Sequence, residues 1–287
     1  MGSFGRELEE RIGMPLFYVD QEKCLRDGLC VAECPAKIIE IIGKDGFPAP
    51  VAGAERYCID CGHCVAVCPV EALTLQTMSP QDCLPIQREL LLTPEQCEHF
   101  LRSRRSIRNY KEKRASRELL QKLIETARYA PTAHNSQPVH WQVIEDPAEG
   151  RRLGGLVAEW MRSLLARNAE FAVSMHMDKV VAAWDKGIDR ILRGAPHLAV
   201  AHGLSTLSAS QSSCIIALAY LELAAPSLGL GTCWAGYFTA AATFYPPLQE
   251  ALALPKNHLT YGAVMIGYPQ YRYQRMPTRR KPEISWR

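Results

Sequence analysis

The sequence predicts two α+β modules in tandem, a small cysteine-rich one over residues 1–78 and a larger one over residues 93–287, joined by a linker at 79–92. Three observations predict this. A cysteine pattern is written twice near the start, and each copy runs into a short apolar segment. Ser79-Pro80 and Pro85 then break any regular pattern. Beyond Thr93, amphipathic helical stretches alternate with short apolar runs of strand character.

The second copy of the pattern, CIDCGHCVAVCP, sets Cys58, Cys61, Cys64 and Cys68 at C-x2-C-x2-C-x3-C-P spacing. This resembles the iron–sulfur spacing of bacterial ferredoxins, in which three thiolates hold one cluster and the fourth reaches the other. The first copy, CLRDGLCVAECP, superimposes on it at one constant offset through Cys24, Asp27, Cys30 and Cys34, with Asp27 where the second copy has Cys61. A zinc ribbon also uses C-x2-C pairs, but it needs two separate pairs, whereas here three short gaps run in series and then repeat. Crossing the fourth ligands assigns Cys58, Cys61, Cys64 and Cys34 to site II, a [4Fe-4S] cluster. Site I receives Cys24, Cys30 and Cys68, with Asp27 as its fourth group or with none. A carboxylate is harder than a thiolate and suits iron in a sulfide-rich cluster less well. Site I is therefore expected to be the labile one, either a [4Fe-4S] cube with Asp27 on its fourth iron or a [3Fe-4S] cluster; the alternative is that Asp27 is a solvated loop residue.

A hydrophobic fraction of 47% supports a packed core, and a formal charge of +3 is too slight to imply nucleic acid. Of eleven cysteines, those in the repeat must stay reduced to hold clusters, which points to a reducing cytoplasm. The opening MGSFGRELEERIGMP carries acids and lacks an apolar stretch, so no signal peptide is expected. The apolar run Cys214 to Ala225 contains Glu222 and is too short to span a bilayer, so no membrane association is expected.

Element by element, a first strand is expected at Leu16 to Val19. Strands are also expected after each proline of the repeat, at Ile38 to Ile42 and Ala72 to Leu75, with a turn at Lys44 to Pro48. Thr93-Pro94-Glu95-Gln96 has the pattern of a capping box with proline at the first helical position, so a helix starts there. Ser116 caps a helix that carries Leu119, Leu120, Leu123, Ile124 and Ala127 on one face. His140 to Ile144 reads as a strand, Pro147 to Arg193 as helices, Leu198 to His202 as a strand and Ser210 to Leu228 as a long buried helix. Leu259 to Gly267 is a last strong strand, followed by a basic extended tail.

Three motifs in this second module, RRSIRNY from Arg104, APTAHNSQP from Ala130 and LGLGTCWAG from Leu228, resemble the nitroreductase family of FMN-dependent homodimeric reductases. A GAP before a strand and RRKP in the tail stand in the matching order, and the resemblance covers nearly everything after Thr93. It implies a nitroreductase-like α+β FMN domain fused behind a small ferredoxin-like 2[4Fe-4S] domain. Guanidinium groups bind phosphate in bidentate fashion, so Arg104 or Arg105, with Arg108 and the Ser106 hydroxyl, are candidates for the FMN phosphate, and Arg279 or Arg280 would close the cluster from the tail. The alternative for this run is a solvated basic face or a nucleic-acid patch.

The resemblance further places Pro131, Thr132, Ala133, Asn135 and Gln137 at the dimer interface and in contact with the flavin. Asn and Gln supply both donors and acceptors, which suits the edge of the ring, although NSQP alone also reads as a turn before a strand. Trp234, Ala235 and Gly236 would pass the ring near its reactive N5, with Cys233 beside them. Cys233, Cys83, Cys97 and Cys214 are expected as small buried apolar residues. The cofactor carries this chemistry, so no catalytic side chain is assigned; His134 is the only histidine expected near substrate or FMN.

The function these features imply is a homodimeric oxidoreductase that passes electrons between the clusters and FMN to reduce a nitro group, a quinone or an activated double bond. Ferredoxin, flavodoxin or NAD(P)H would be its donor. Two alternatives remain at this point: an NAD(P)H-oxidising flavoprotein that exports electrons through its clusters to a partner protein, and a non-catalytic redox sensor.

Overall fold

A computed structural model describes residues 15–287, which fall into two compact units. The first holds the described residues up to Leu91 together with His134–Ser136, and the second holds Leu92–Ala133 and Gln137–Arg287.

In the first unit, β1 (Phe17–Val19) is followed by α1 (Leu29–Glu33), the hairpin β2 (Ile39–Ile41) and β3 (Pro48–Pro50), α2 (His63–Ala66) and β4 (Leu73–Leu75). β1 pairs antiparallel with β4, and β2 with β3. The sequence repeat is also a backbone repeat. α1 and α2 each start after a glycine in the left-handed region, Gly28 at φ 74° and Gly62 at φ 71°, and Arg26 matches Asp60, and Lys37 matches Glu71, in positive φ. The core contains Phe17, Ile38, Ile39, Val65, Leu73 and Leu75, with Cys30, Cys34 and Cys64 buried among them. β3 is the element that sequence reasoning read only as the end of a turn. Its two prolines argue against a central strand but are tolerated in a two-stranded hairpin, where an outward-facing N–H has no ladder partner to lose.

The second unit opens with α3 (Pro94–Ser103). Gln96 N–H donates to Thr93 Oγ1 at 3.2 Å, and Thr93 N–H donates to Gln96 Oε1 at 3.0 Å, so both halves of the capping box are present. α3 buries none of its residues, and Cys97 is exposed, which corrects its expected burial; Cys83 is only half-buried. The helix α4 (Arg117–Ala127) is capped by Ser116, whose Oγ accepts from Leu119 N–H at 3.3 Å.

There follow β5 (His140–Ile144), α5 (Pro147–Ala166), α6 (Glu170–Ser174), α7 (Met177–Asp185), β6 (His197–Leu204), α8 (Ala209–Ala224), β7 (Gly231–Trp234), α9 (Gly236–Phe244), α10 (Pro246–Leu252) and β8 (His258–Gly267). The four strands form one antiparallel sheet in the order β5-β6-β8-β7. Strand side chains alternate between faces, and here both faces are covered. Leu198 and Val200 of β6, with Ala263 and Met265 of β8, join a core with α5, α7, α9 and α10. The intervening Ala199, Ala201, Val264 and Ile266 join a second core with Leu120 and Leu123 of α4 and Cys214, Leu218 and Leu221 of α8.

With the turn after it, α8 reaches Leu228 at mean hydropathy 1.2, long and apolar enough by composition to cross a membrane. Its packing on α4, β6 and β8 and its buried Glu222 make it a core helix of this unit.

The ends of three adjacent strands bring His140, His202 and His258 together. Nδ1 of His202 lies 2.9 Å from Nδ1 of His258, and the His140 ring centroid is 5.6 Å from that of His202 and 4.8 Å from that of His258. His202 is 5% exposed, and burial first, then its two neighbours, hold its pKa down from 6.5 to about 4. The unfolded chain therefore binds the extra proton between these values, so the stability from neutral His202 is full above the upper value and is lost as pH falls through the window. Acidification across it is expected to cost on the order of 3 kcal/mol. Unfolding curves of wild type and His202→Gln over this range check the point: the variant should show the shallower pH dependence.

Candidate functional site

In the first unit the cysteines gather in two groups, each drawing on both copies of the repeat. One cavity is lined by Cys34, Cys58, Cys61 and Cys64. Another is lined by Cys24, Asp27, Cys30 and Cys68. Each short helix lifts its central cysteine into the core, so Cys30 and Cys64 are buried. Burial pushes the Cys64 thiol up to about 12 and raises Cys30 and Cys58 as well, while the backbone N–H groups of Val31 and Val65 pull Cys30 and Cys64 the other way. A thiolate in such surroundings needs a positive partner and N–H donors, which iron and the loop backbone supply. Ala72 N–H donates to Cys68 Sγ at 3.2 Å. Asp27 Oδ1 accepts from Leu29 N–H at 3.1 Å, and Asp27 is a lining residue of the second cavity alongside three cysteines. Both sets of lining residues suit iron–sulfur chemistry: four soft thiols in one, and three soft thiols with a hard carboxylate residue in the other.

In the second unit the arginine run leaves α3 and is pinned to β7. Ile107 N–H donates to Thr232 O at 2.8 Å, and a Cβ on Gly231 would sit 2.4 Å from Ile107 Cγ1, so glycine there lets the run approach the strand. Arg102, Arg104, Arg105, Thr278 and Arg279 line a cavity of 400 Å³. Arg105 Nη2 donates to Arg102 O at 2.8 Å, whereas its Nε is buried with no protein partner. A buried orphan N–H is costly, so this donor fits an anionic ligand in the cavity. The phosphate of FMN meets that description. Arg108, Ser106 and Arg280 are not among the residues that line this cavity, and Arg279 is the tail arginine that does.

Sequence reasoning missed Glu222, which it treated only as a charge interrupting an apolar run. The residue lies on α8 and is 8% exposed. Arg104 Nη1 donates to Glu222 Oε1 at 2.9 Å, and Trp234 Nε1 donates to Oε2 at 3.2 Å. The signal that finds it is a lone acid on an otherwise apolar helix, because a buried carboxylate requires partners.

Cys233 is buried, and burial raises its thiol, which keeps it a small apolar residue at neutral pH. Trp234 is 36% exposed, Ala235 is buried, and a Cβ on Gly236 would meet no protein atom within 4 Å.

The loop from Ala130 to Pro138 is strained: His134, Asn135 and Gln137 all have positive φ, at 51°, 51° and 42°. Gln137 N–H donates to Thr132 Oγ1 at 3.1 Å. Its residues His134–Ser136 group with the first unit, where Asn135 Nδ2 donates to Ile59 O at 3.2 Å and Asp60 O at 2.9 Å. Asn135 therefore bonds the backbone between Cys58 and Cys61. Pro131, Thr132, Ala133 and Gln137 are absent from the lining of the arginine cavity.

Residues 101–268 match the nitroreductase family model, and residues 16–71 match the model of a 4Fe-4S dicluster domain. A protein of Thermus thermophilus named NADH dehydrogenase is 30% identical over 201 residues, covering 64% of this chain and 92% of its own length. A protein of Hydrogenibacillus schlegelii named ferredoxin 7Fe is 37% identical over 67 residues, covering 23% of this chain and 80% of its own. In fold alone, a nitroreductase from Bacteroides fragilis, solved with bound FMN, is similar at TM-score 0.53 and 22% identity, over 66% of this chain and 96% of that one. The chain thus belongs to the nitroreductase family, as a flavin oxidoreductase that carries a 4Fe-4S dicluster domain of ferredoxin type ahead of its α+β flavoprotein domain.

Proposed function

We propose that this protein is a cytoplasmic homodimer that passes electrons between two iron–sulfur clusters and FMN and delivers them to an electron-poor organic molecule, such as a nitro compound, a quinone or an activated double bond. The observation that carries this reading is the arginine-lined cavity with the unpartnered Nε of Arg105, on the same chain as two cysteine-lined cavities. When bound, FMN supplies the exchange between single electrons and electron pairs. The chain's own part is to hold it. Arg105 and Arg279 take the phosphate, with Arg104 beside them, and the arginine field favours a dianion there. Thr132, Gln137 and the Cys233–Gly236 segment are assigned to the ring. The region from Arg151 to Arg193 is assigned to the substrate side.

In the first unit, Cys34, Cys58, Cys61 and Cys64 hold a [4Fe-4S] cluster, and Cys24, Cys30 and Cys68 hold the second. Asp27 is a weaker fourth ligand, so site I keeps three irons firmly and the fourth loosely. The relative named a 7Fe ferredoxin supports this assignment.

A second reading is favoured by the relative named NADH dehydrogenase: NAD(P)H reduces the flavin and the clusters export electrons to a partner protein. Anaerobic protein, with iron and flavin counted per chain, separates the two. Reduction of the flavin by reduced ferredoxin or flavodoxin, and not by NADH or NADPH, supports the first reading. Rapid flavin bleaching by NADH or NADPH supports the second. A chain that retains iron but no flavin contradicts both. An electron paramagnetic resonance signal of a [3Fe-4S] cluster before reduction is the expected mark of site I.

A further inference from the structure

Two of the three motifs that follow Thr93 are joined through one carboxylate. Glu222 lies on α8, in neither motif, yet one of its oxygens accepts from Arg104 and the other from the Trp234 indole. Three things make this more than a surface ion pair. The carboxylate side chain is 10% exposed and its guanidinium partner 24%, so solvent screens the contact weakly. Both oxygens are engaged, by donors 130 residues apart in sequence at Arg104 and Trp234, so the acid fixes the separation of the two segments. Finally, the Arg104 fork is held by one corner only. Nη1 serves Glu222, with Ser106 Oγ at 3.4 Å, while neither Nη2 nor Nε has a protein hydrogen-bond partner among the described residues.

A guanidinium is planar, so holding one corner sets the plane and direction of its other donors. Arg104 lines the arginine cavity. We propose that Glu222 is a positioning residue: by gripping Arg104 through Nη1 and bracing itself on Trp234, it holds the remaining Arg104 donors toward the phosphate-bearing end of the ligand. This rests on the reading of the cavity as the FMN phosphate site.

Two effects of opposite sign compete. Removing the carboxylate raises the net positive charge of the cavity, which favours a dianion. It also frees a long side chain that must then be ordered on binding, at an entropic cost, and leaves a part-buried guanidinium to seek water. In a positioning role the second effect wins, and it acts on the phosphate alone.

The test measures binding of FMN and of riboflavin, which lacks the phosphate, by full-length protein freed of flavin. Four proteins are compared: wild type, Glu222→Gln, Arg104→Ala and the double variant Glu222→Gln/Arg104→Ala. Glutamine keeps the shape and an acceptor for Trp234 but loses the charge, so the fold is preserved. The expected result is FMN binding weakened about tenfold by Glu222→Gln, riboflavin binding unchanged, and no further loss when Glu222→Gln is added to Arg104→Ala. Equal losses for FMN and riboflavin would reduce Glu222 to a structural role. Additive losses, unchanged FMN binding or tighter FMN binding in Glu222→Gln would likewise overturn the proposal. Wild type that binds FMN no better than riboflavin would instead contradict the phosphate reading of the cavity, which keeps the two failures distinct.

Discussion

Replacing Cys64 with alanine is expected to remove the site II cluster and leave flavin binding intact. Cys64 is a buried thiol on α2 and shares one cavity with Cys34, Cys58 and Cys61. Site I has Asp27 beside its three thiols, whereas no carboxylate among the described residues lines the site II cavity to stand in for Cys64, and deleting the buried sulfur also leaves a gap in a core that is small to begin with. Iron should fall by about half per chain. The flavin count should not change, because none of the residues assigned to the phosphate belongs to that unit. Metal and flavin analysis of the anaerobically prepared variant reads both outcomes together. Cys97→Ala is the control, since that thiol is exposed on a helix outside both groups and its loss should alter neither count.

The second large effect belongs to the arginine cavity. Arg105→Ala removes the orphaned Nε together with the donor that reaches Arg102 O, and Arg279→Ala removes the tail's contribution. A charge-assisted bond to phosphate contributes about 1.5–3 kcal/mol, so each change should weaken FMN binding about 10- to 100-fold. Arg280→Ala should have little effect, because Arg280 does not line the cavity. Flavin fluorescence titration measures all three.

Much of the secondary structure was legible because it is written locally. Thr93 and Gln96, or Ser116 ahead of its apolar stripe, declare helix starts through bonds within one turn. The strand at His140–Ile144 and the long strand of the last core stand out by apolar runs bounded by polar loops. The repeat was legible for a stronger reason: duplication fixes an offset, and Gly28 with Gly62, or Arg26 with Asp60, carry that offset into backbone conformation.

What was not legible depends on partners distant in sequence. Glu222 looks like a flaw in an apolar helix until Arg104 and Trp234 are seen on either side of it. Asn135 reads as a flavin-ring residue from its motif, and nothing in that motif announces the bonds its Nδ2 donates to the carbonyls of Ile59 and Asp60. The histidines His140, His202 and His258 lie on separate strands, and only the sheet register brings them within ring contact. Cys97 was misjudged because thiols are usually buried, whereas the helix that carries it buries none of its residues.

The central claim is that electrons reach the flavin through the clusters. It is tested most directly by mixing anaerobic protein with reduced ferredoxin as the one-electron donor and following flavin bleaching in wild type and in flavin-replete Cys64→Ala. The account predicts bleaching at least about tenfold slower in the variant. Equal rates in the two proteins would contradict it.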